Sequence, residues 1–415
     1  MPLKKSNTIT LVSIILILIS VRGLLVLFIG RKDYTNYIYY TTLFIALFLS
    51  KFGFELSRKK DFSAPPRDLQ NLLKYNFIFY AIWLLPVLIF NPAIDWLTAP
   101  LYLAILPYIV FIFYYLDIKI FYKILSFVSI IIALSVIWDF VELNILIDRY
   151  DIAFARQELL RPDNFEAVGR NDMLVRPNGI TGSRPHDASN LLSMFFVFWF
   201  TKYLFEKSKN KLSIIILILL TGIALLATQV ASNIIAAFFV LFFIIPYGFF
   251  KYPKNIPYIG IFLTSVLLIY LFASNPLYFD ALMSGFQRAG SDGDWDGILL
   301  FQVNDIIPLI LTSFIGHAGS LGLFHAGEVT EFAIIRMVFE QGIIHFLLIL
   351  FILFYPLYLI YKNKIKITTN MLPLIAALLV GILSLWHYGS LFRITNEVLF
   401  WAFYGILVSM IKKQY

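Results

Sequence analysis

Apolar residues occur along this chain in long unbroken runs, and polar residues gather between them. The runs "TITLVSIILILISVRGLLVLFIG" near the start and "IIHFLLILFILFYPLYLIY" toward the end are representative. About twenty consecutive apolar residues are what a helix needs to cross the hydrocarbon core of a bilayer. Repeated along the chain, such runs exclude a soluble globular domain. The pattern predicts an all-α polytopic membrane protein, residues 1–415 forming one integral membrane domain. Twelve spans fit, at roughly 8–30, 35–56, 72–91, 96–116, 120–141, 188–206, 212–229, 231–250, 256–274, 331–361, 369–388 and 394–411.

The connections sort by charge. Alternate ones carry Lys4 and Lys5, then Arg58, Lys59, Lys60, Arg67 and Lys74, then Lys119 and Lys123. The same set continues with Lys202, Lys207, Lys209 and Lys211, then Lys251 and Lys254, Lys362, Lys364 and Lys366, and finally Lys412 and Lys413. The positive-inside rule makes that face cytoplasmic, with both termini on it. The opposite face has short turns and two long loops, 142–187 and 275–330. Most arginines lie in those loops: Arg149, Arg156, Arg161, Arg170, Arg176, Arg184 and Arg288.

Composition sharpens this only in places. The chain is 60% hydrophobic and 14% charged, with a mean hydropathy of +0.82. It has no cysteine, which removes disulfides, thiol chemistry and thiolate metal sites. The first apolar run is too long for a signal-peptide core and lacks a small-residue cleavage pattern, so it reads as a retained helix. A formal charge of +8 points to nucleic acid in a soluble protein; here the lysines serve topology, and no nucleic-acid partner is expected.

Outer-face arginines work against the orientation bias and need another reason. A guanidinium fork grips phosphate and pyrophosphate through paired charge-assisted hydrogen bonds. Local pairing is the other reading, and it suits Arg149, Arg156 and Arg161, which share their loop with Asp148, Asp151, Glu158 and Asp163. The stretch "RPNGITGSRPHDASNLL" (176–192) is different. Its Pro177, Asn178, Gly179 and Gly182 fold the backbone back near the membrane surface. Asp187 or Ser189 is expected to cap the next helix, whose positive end then lies beside Arg176 and Arg184. Such an arrangement is either an anion site or an ordinary capped helix.

In the second loop, "DGDWDG" has the look of a calcium loop but lacks the twelfth-position glutamate, so it reads as a turn or salt-bridge cluster, with no metal site. Glu328 and Glu331 fall where the tenth span is expected to begin. A carboxylate there is either favourable helix-dipole placement or, facing an arginine-lined cavity, a general base. His317 and His325 read first as hydrogen-bond partners. Charges inside spans are Arg22, Lys51, Asp139, Arg336, Glu340 and His345, groups that normally face a bundle interior or a wet cavity. Arg336 and Glu340 have the i, i+4 spacing of an ion pair. His387 and Arg393 lie at the outer mouth between the last two spans.

In order, these pieces resemble the O-antigen ligase and Wzy-type O-antigen polymerase superfamily. "RPNGITGSRPHDASNLL" is similar to its R-x-x-G-x-x-x-x-P-N-x-x-A pattern, with His186 where the family usually has Asn. "QRAGSDGDWDGILL…IIPLILTSFIGHAGSLG" looks like its long periplasmic loop, and "TEFAIIRMVFEQGIIHFLLILF" like the helix that follows. Glu331 falls at the position of the ligase histidine. Motif is confined to about 176–192 and 284–345; the rest is likeness of architecture.

The resemblance implies a GT-C-like glycosyltransferase architecture in the bacterial inner membrane, using undecaprenyl-pyrophosphate-linked oligosaccharide and no metal or other cofactor. It implies Glu331 as the base, with His325 next in line. Arg176, Arg184 and Arg288 would grip the pyrophosphate, with His186, Arg393 and Arg336 as further substrate contacts. A chain-length regulator protein is implied as a partner, alongside membrane lipid. Glutamate at 331, in place of the ligases' His-Asn pair, favours a polymerase over a ligase that passes glycan to lipid A core. A transporter or flippase is the reading from another class, but the halves show no internal repeat or matched broken helices.

Overall fold

A computed structural model of the chain describes residues 5–18, 65–90, 104–144, 177, 179–181, 185–205, 211–228, 230–251, 338, 342–386 and 394–414. Among these residues every regular element is helical and none is a strand, so the fold is all-α. In chain order the α-helices are α1 (Lys5–Leu18), α2 (Arg67–Phe90), α3 (Val110–Tyr114), α4 (Ile118–Asn144) and α5 (Pro185–Phe205). They continue with α6 (Lys211–Ala227), α7 (Ala231–Lys251), α8 (Ile343–Lys362), α9 (Leu372–Leu383) and α10 (Ile394–Lys412). By length and composition, Ile118–Val141 and Ile343–Lys362 are able to cross a membrane. The expected spans at 35–56 and 256–274 lie outside the described residues, as do the loop 275–330 and most of 142–187.

Helix α5 is the centre of the bundle. Every residue from Asp187 to Phe205 is buried, and the helix packs against α4, α6, α7 and α9. A helix buried all round has no solvated face to fill with charge, which is why this one is rich in Phe and Leu. Helices nearer the outside of the bundle are one-sided in the opposite sense from soluble helices. Exposed positions on α6 are Leu212, Ile216, Leu219 and Ile223, and on α8 Ile344, Leu347, Phe351, Phe354 and Tyr358. Both series step by three and four residues, so each helix turns an apolar stripe outward. In water such stripes are a liability; against acyl chains they cost nothing.

Three local features depart from the simple reading of one run, one helix. The expected span 331–361 does not run through: Gly342 stands at φ 85°, ψ 163°, and α8 starts only at Ile343. A residue in that conformation cannot continue a right-handed helix, and only glycine takes it up cheaply. Second, the helix within 96–116 tightens to a 3-10 turn over Leu106–Ile109, at Pro107, whose ring removes a backbone donor. Third, α8 ends with Lys364 at φ 49° and Ile365 N–H donating to Ile360 O at 2.9 Å, a six-to-one closure that reverses the chain into α9.

The seam between α3 and α10 is unusually close. A Cβ on Gly405 would lie 2.7 Å from Val110 O, 2.9 Å from Phe113 Cβ and 3.0 Å from Tyr114 N. Backbone therefore meets backbone there. Nearby, Tyr404 donates its hydroxyl to Ile352 O at 2.8 Å, tying α10 to α8.

Candidate functional site

The described part of the segment singled out in the sequence is packed into the bundle. Residues Gly179–Thr181 form a single 3-10 turn, fully packed. Gly179 N–H donates to Asp139 Oδ2 at 2.8 Å, and Ile180 N–H donates to Ser135 Oγ at 3.1 Å. Asp139, puzzling as a charge inside a span, is 3% exposed and serves as the anchor for this turn. Gly179 has φ +56°, and a Cβ on it would meet Ser135 Oγ at 2.5 Å and Val136 Cγ2 at 2.7 Å. The turn thus depends on a missing side chain and on a carboxylate forty residues earlier in sequence.

Helix α5 follows directly. It begins at Pro185, a residue suited to the first helical position because its missing N–H would have no partner there. This corrects the expected cap. Asp187 sits in the first turn of α5 and Ser189 beyond it, so neither occupies the position before the helix; Asp187 still places negative charge at the positive end. The opening of α5 is also held from the α7 side, where Asn233 Nδ2 donates to His186 O at 3.2 Å.

The first turns of α5 are polar yet sealed. Asp187, Ser189, Asn190 and Ser193 are each 0% exposed. Ser193 Oγ donates to Asn190 O at 2.8 Å. Among the described residues the side chains of Ser189 and Asn190 have no hydrogen-bond partner. Buried polar groups nearly always find partners, so two adjacent exceptions beside a pinned turn call for a reason.

A second buried polar centre lies between α2, α8 and α10. His345 is sandwiched by aromatics, its ring parallel to Phe79 (4.4 Å, 4°) and edge-on to Tyr80 (4.4 Å, 81°). Its Nε2 is 3.1 Å from Asn76 Oδ1, in hydrogen-bond contact. Glu397 is 2% exposed; its Oε1 accepts from Trp401 Nε1 at 3.1 Å, while Oε2 has no partner among the described residues. Glu397, Asn76 and Trp401 share a cavity of about 10 Å³, about the size of one water site.

Of the residues expected at the site, His186 is described: it is the second residue of α5, half-buried, and it contributes its carbonyl to Asn233. Arg176, Arg184, Arg288, His325, Glu331, Arg336 and Arg393 lie outside the described residues. Asn190 and Glu397 escaped the sequence reading. Asn190 is one polar residue among several in a helix start, and Glu397 looks like an ordinary first-turn carboxylate.

No protein-family model matches the chain, and no curated protein matches it significantly.

Proposed function

We propose that the chain is a Wzy-type O-antigen polymerase, an inverting glycosyltransferase of the bacterial inner membrane that joins undecaprenyl-pyrophosphate-linked repeat units. In this reading twelve helices span the bilayer, both termini are cytoplasmic and the architecture is GT-C-like. The chemistry needs no cofactor. A hydroxyl of one repeat unit attacks the anomeric carbon of another, the bond to the lipid pyrophosphate breaks, and Glu331 takes the hydroxyl proton. Arg176, Arg184 and Arg288 balance the charge that builds on the departing pyrophosphate.

One observation carries this reading: within the 176–192 stretch, Gly179–Thr181 form a turn fastened to α4 by Asp139 and Ser135, and α5 begins at Pro185. Helix N-termini favour phosphate, and Arg184 immediately precedes this one in sequence. Ser189 and Asn190, buried beside that turn and without side-chain hydrogen-bond partners among the described residues, leave donors and acceptors unmatched there. The outward apolar stripes of α6 and α8 support placement in a bilayer.

The deciding experiment incubates purified protein with its lipid-linked repeat unit alone. A ladder of multiples is the expected product; a ladder absent until lipid A core is supplied would instead identify a ligase. Within that assay Arg288→Lys is expected to lower the rate at least tenfold despite keeping the charge, because an ammonium cannot reproduce the two-pronged contact. A wild-type rate in that variant removes Arg288 from the pyrophosphate site.

A further inference from the structure

Asn190 of α5 is fully buried, and among the described residues neither end of its side-chain amide has a hydrogen-bond partner. A buried amide in that condition lowers stability, because it has lost its water without gaining a protein group. Ser189 and Thr201 on the same helix each leave one hydroxyl unmatched. The amide leaves more, both a pair of donor hydrogens and an acceptor oxygen.

Where the amide faces follows from the packing one turn further along. A Cβ on Gly381 of α9 would meet Phe400 Cδ2 at 2.9 Å and Met194 Sδ at 3.2 Å, so Met194 of α5 and Phe400 of α10 close on one spot. Beyond it the rings of Phe198 and Phe403 lie 5.4 Å apart. The contacts advance together on the two helices, so α5 and α10 run parallel. Asn190 precedes Met194 by four residues, and Asn396 precedes Phe400 by four. Residues four apart share a helix face, which sets the two asparagines on the facing sides of α5 and α10. Helix α9 runs the other way, since Gln414 Nε2, just past α10, donates to Met371 Sδ at the start of α9. Its continuation brings Ser384 to the same level, and Asn396 and Ser384 are 0% and 5% exposed.

This polar layer lies near the starts of both helices. Asn190 is the sixth residue of α5 and Asn396 the third of α10, within about 8 Å of where each helix begins. Its side chains are two amides and a hydroxyl, all uncharged. A partner that both donates and accepts at neighbouring atoms matches an amide fully, whereas a pyrophosphate only accepts.

Resting on the glycosyl-transfer reading above, we infer that Asn190 contacts the sugar. Its amide takes two neighbouring hydroxyls on one uncharged ring of the repeat unit, Nδ2 donating to one oxygen and Oδ1 accepting from the other. Asn396, engaged in contacts of its own, forms the opposite wall. Because the amide is sealed, the ring enters only as the two helix starts part. A polar group kept at the expense of stability is what a binding residue looks like before its ligand arrives.

The test measures kcat/KM for lipid-linked repeat unit, and the melting temperature in detergent, on the full-length chain. Asn190→Leu, similar in size and without polar side-chain atoms, should raise the melting temperature and lower kcat/KM about tenfold, the loss of two neutral hydrogen bonds. Thr201→Val removes an unpartnered buried hydroxyl toward the other end of α5; it should raise the melting temperature and leave kcat/KM unchanged. Undecaprenyl pyrophosphate, which carries no sugar, should inhibit wild type and Asn190→Leu equally. A lower melting temperature in Asn190→Leu overturns the inference in favour of a structural amide, and an unchanged kcat/KM overturns it outright. Weaker inhibition of that variant by undecaprenyl pyrophosphate also overturns it, moving Asn190 to the pyrophosphate. Failure of the wild-type chain to make a ladder is a separate result, which overturns the polymerase reading and this inference with it.

Discussion

Glu331→Gln should abolish ladder formation while leaving the amount of membrane-inserted protein unchanged. The amide keeps the shape of the side chain and loses only the ability to accept a proton. A sugar hydroxyl is a poor nucleophile until its proton is being taken, and a positioned base contributes about 10²–10⁴-fold. Repeat units should therefore accumulate unjoined on the lipid, visible as a single band where wild type gives a series. Glu331→Asp should retain a trace, since the carboxylate survives but is withdrawn by one methylene. Undiminished long chains from Glu331→Gln would move the base elsewhere, to His325 first.

The second large effect is structural. Gly179→Ala should unseat the turn ahead of α5. A non-glycine residue at φ +56° carries strain of about 1–3 kcal/mol, and the new methyl would meet Ser135 Oγ at 2.5 Å and Val136 Cγ2 at 2.7 Å. Ser135 cannot simply swing away, because its Oγ accepts from Ile180 N–H. Relief has to come from moving the turn off α4, which breaks the Gly179 contact with Asp139 as well. The variant should melt several degrees below wild type in detergent and lose joining activity out of proportion to its loss of folded protein. An unchanged melting curve together with full activity would show that the pinned turn is irrelevant.

How much of this was legible in the sequence depends on the range of the interaction. Helix existence was legible, because apolar run length is a local property: the runs expected at 120–141, 212–229 and 394–411 match α4, α6 and α10 closely. The break at Gly342 was not: Glu340 and Gln341 directly precede it, but a glycine after two polar residues is spelled the same way within a helix as at φ 85°. Asp139 was recognised as anomalous but not explained, because its partner lies forty residues away. The error over the α5 cap was one of competing signals, with Asp187 and Ser189 chosen where Pro185 already marks the start. Lys202 was absorbed into a charge count that made sense of orientation and so concealed its seat on Tyr122.

The glycine at 405 has an effect well beyond its own contacts. Side chains gain little by leaving lipid for one another, so helices in a bilayer associate chiefly where small residues let their main chains come close. With Val110 and Tyr114 pressed against it, α10 is blocked from both rolling and sliding relative to α3. Eight residues earlier on the same helix, Glu397 inherits that setting, and so does its place in the small cavity it shares with Asn76. The smallest residue on the helix thus acts as a fulcrum, fixing the pose of an acidic group it never touches.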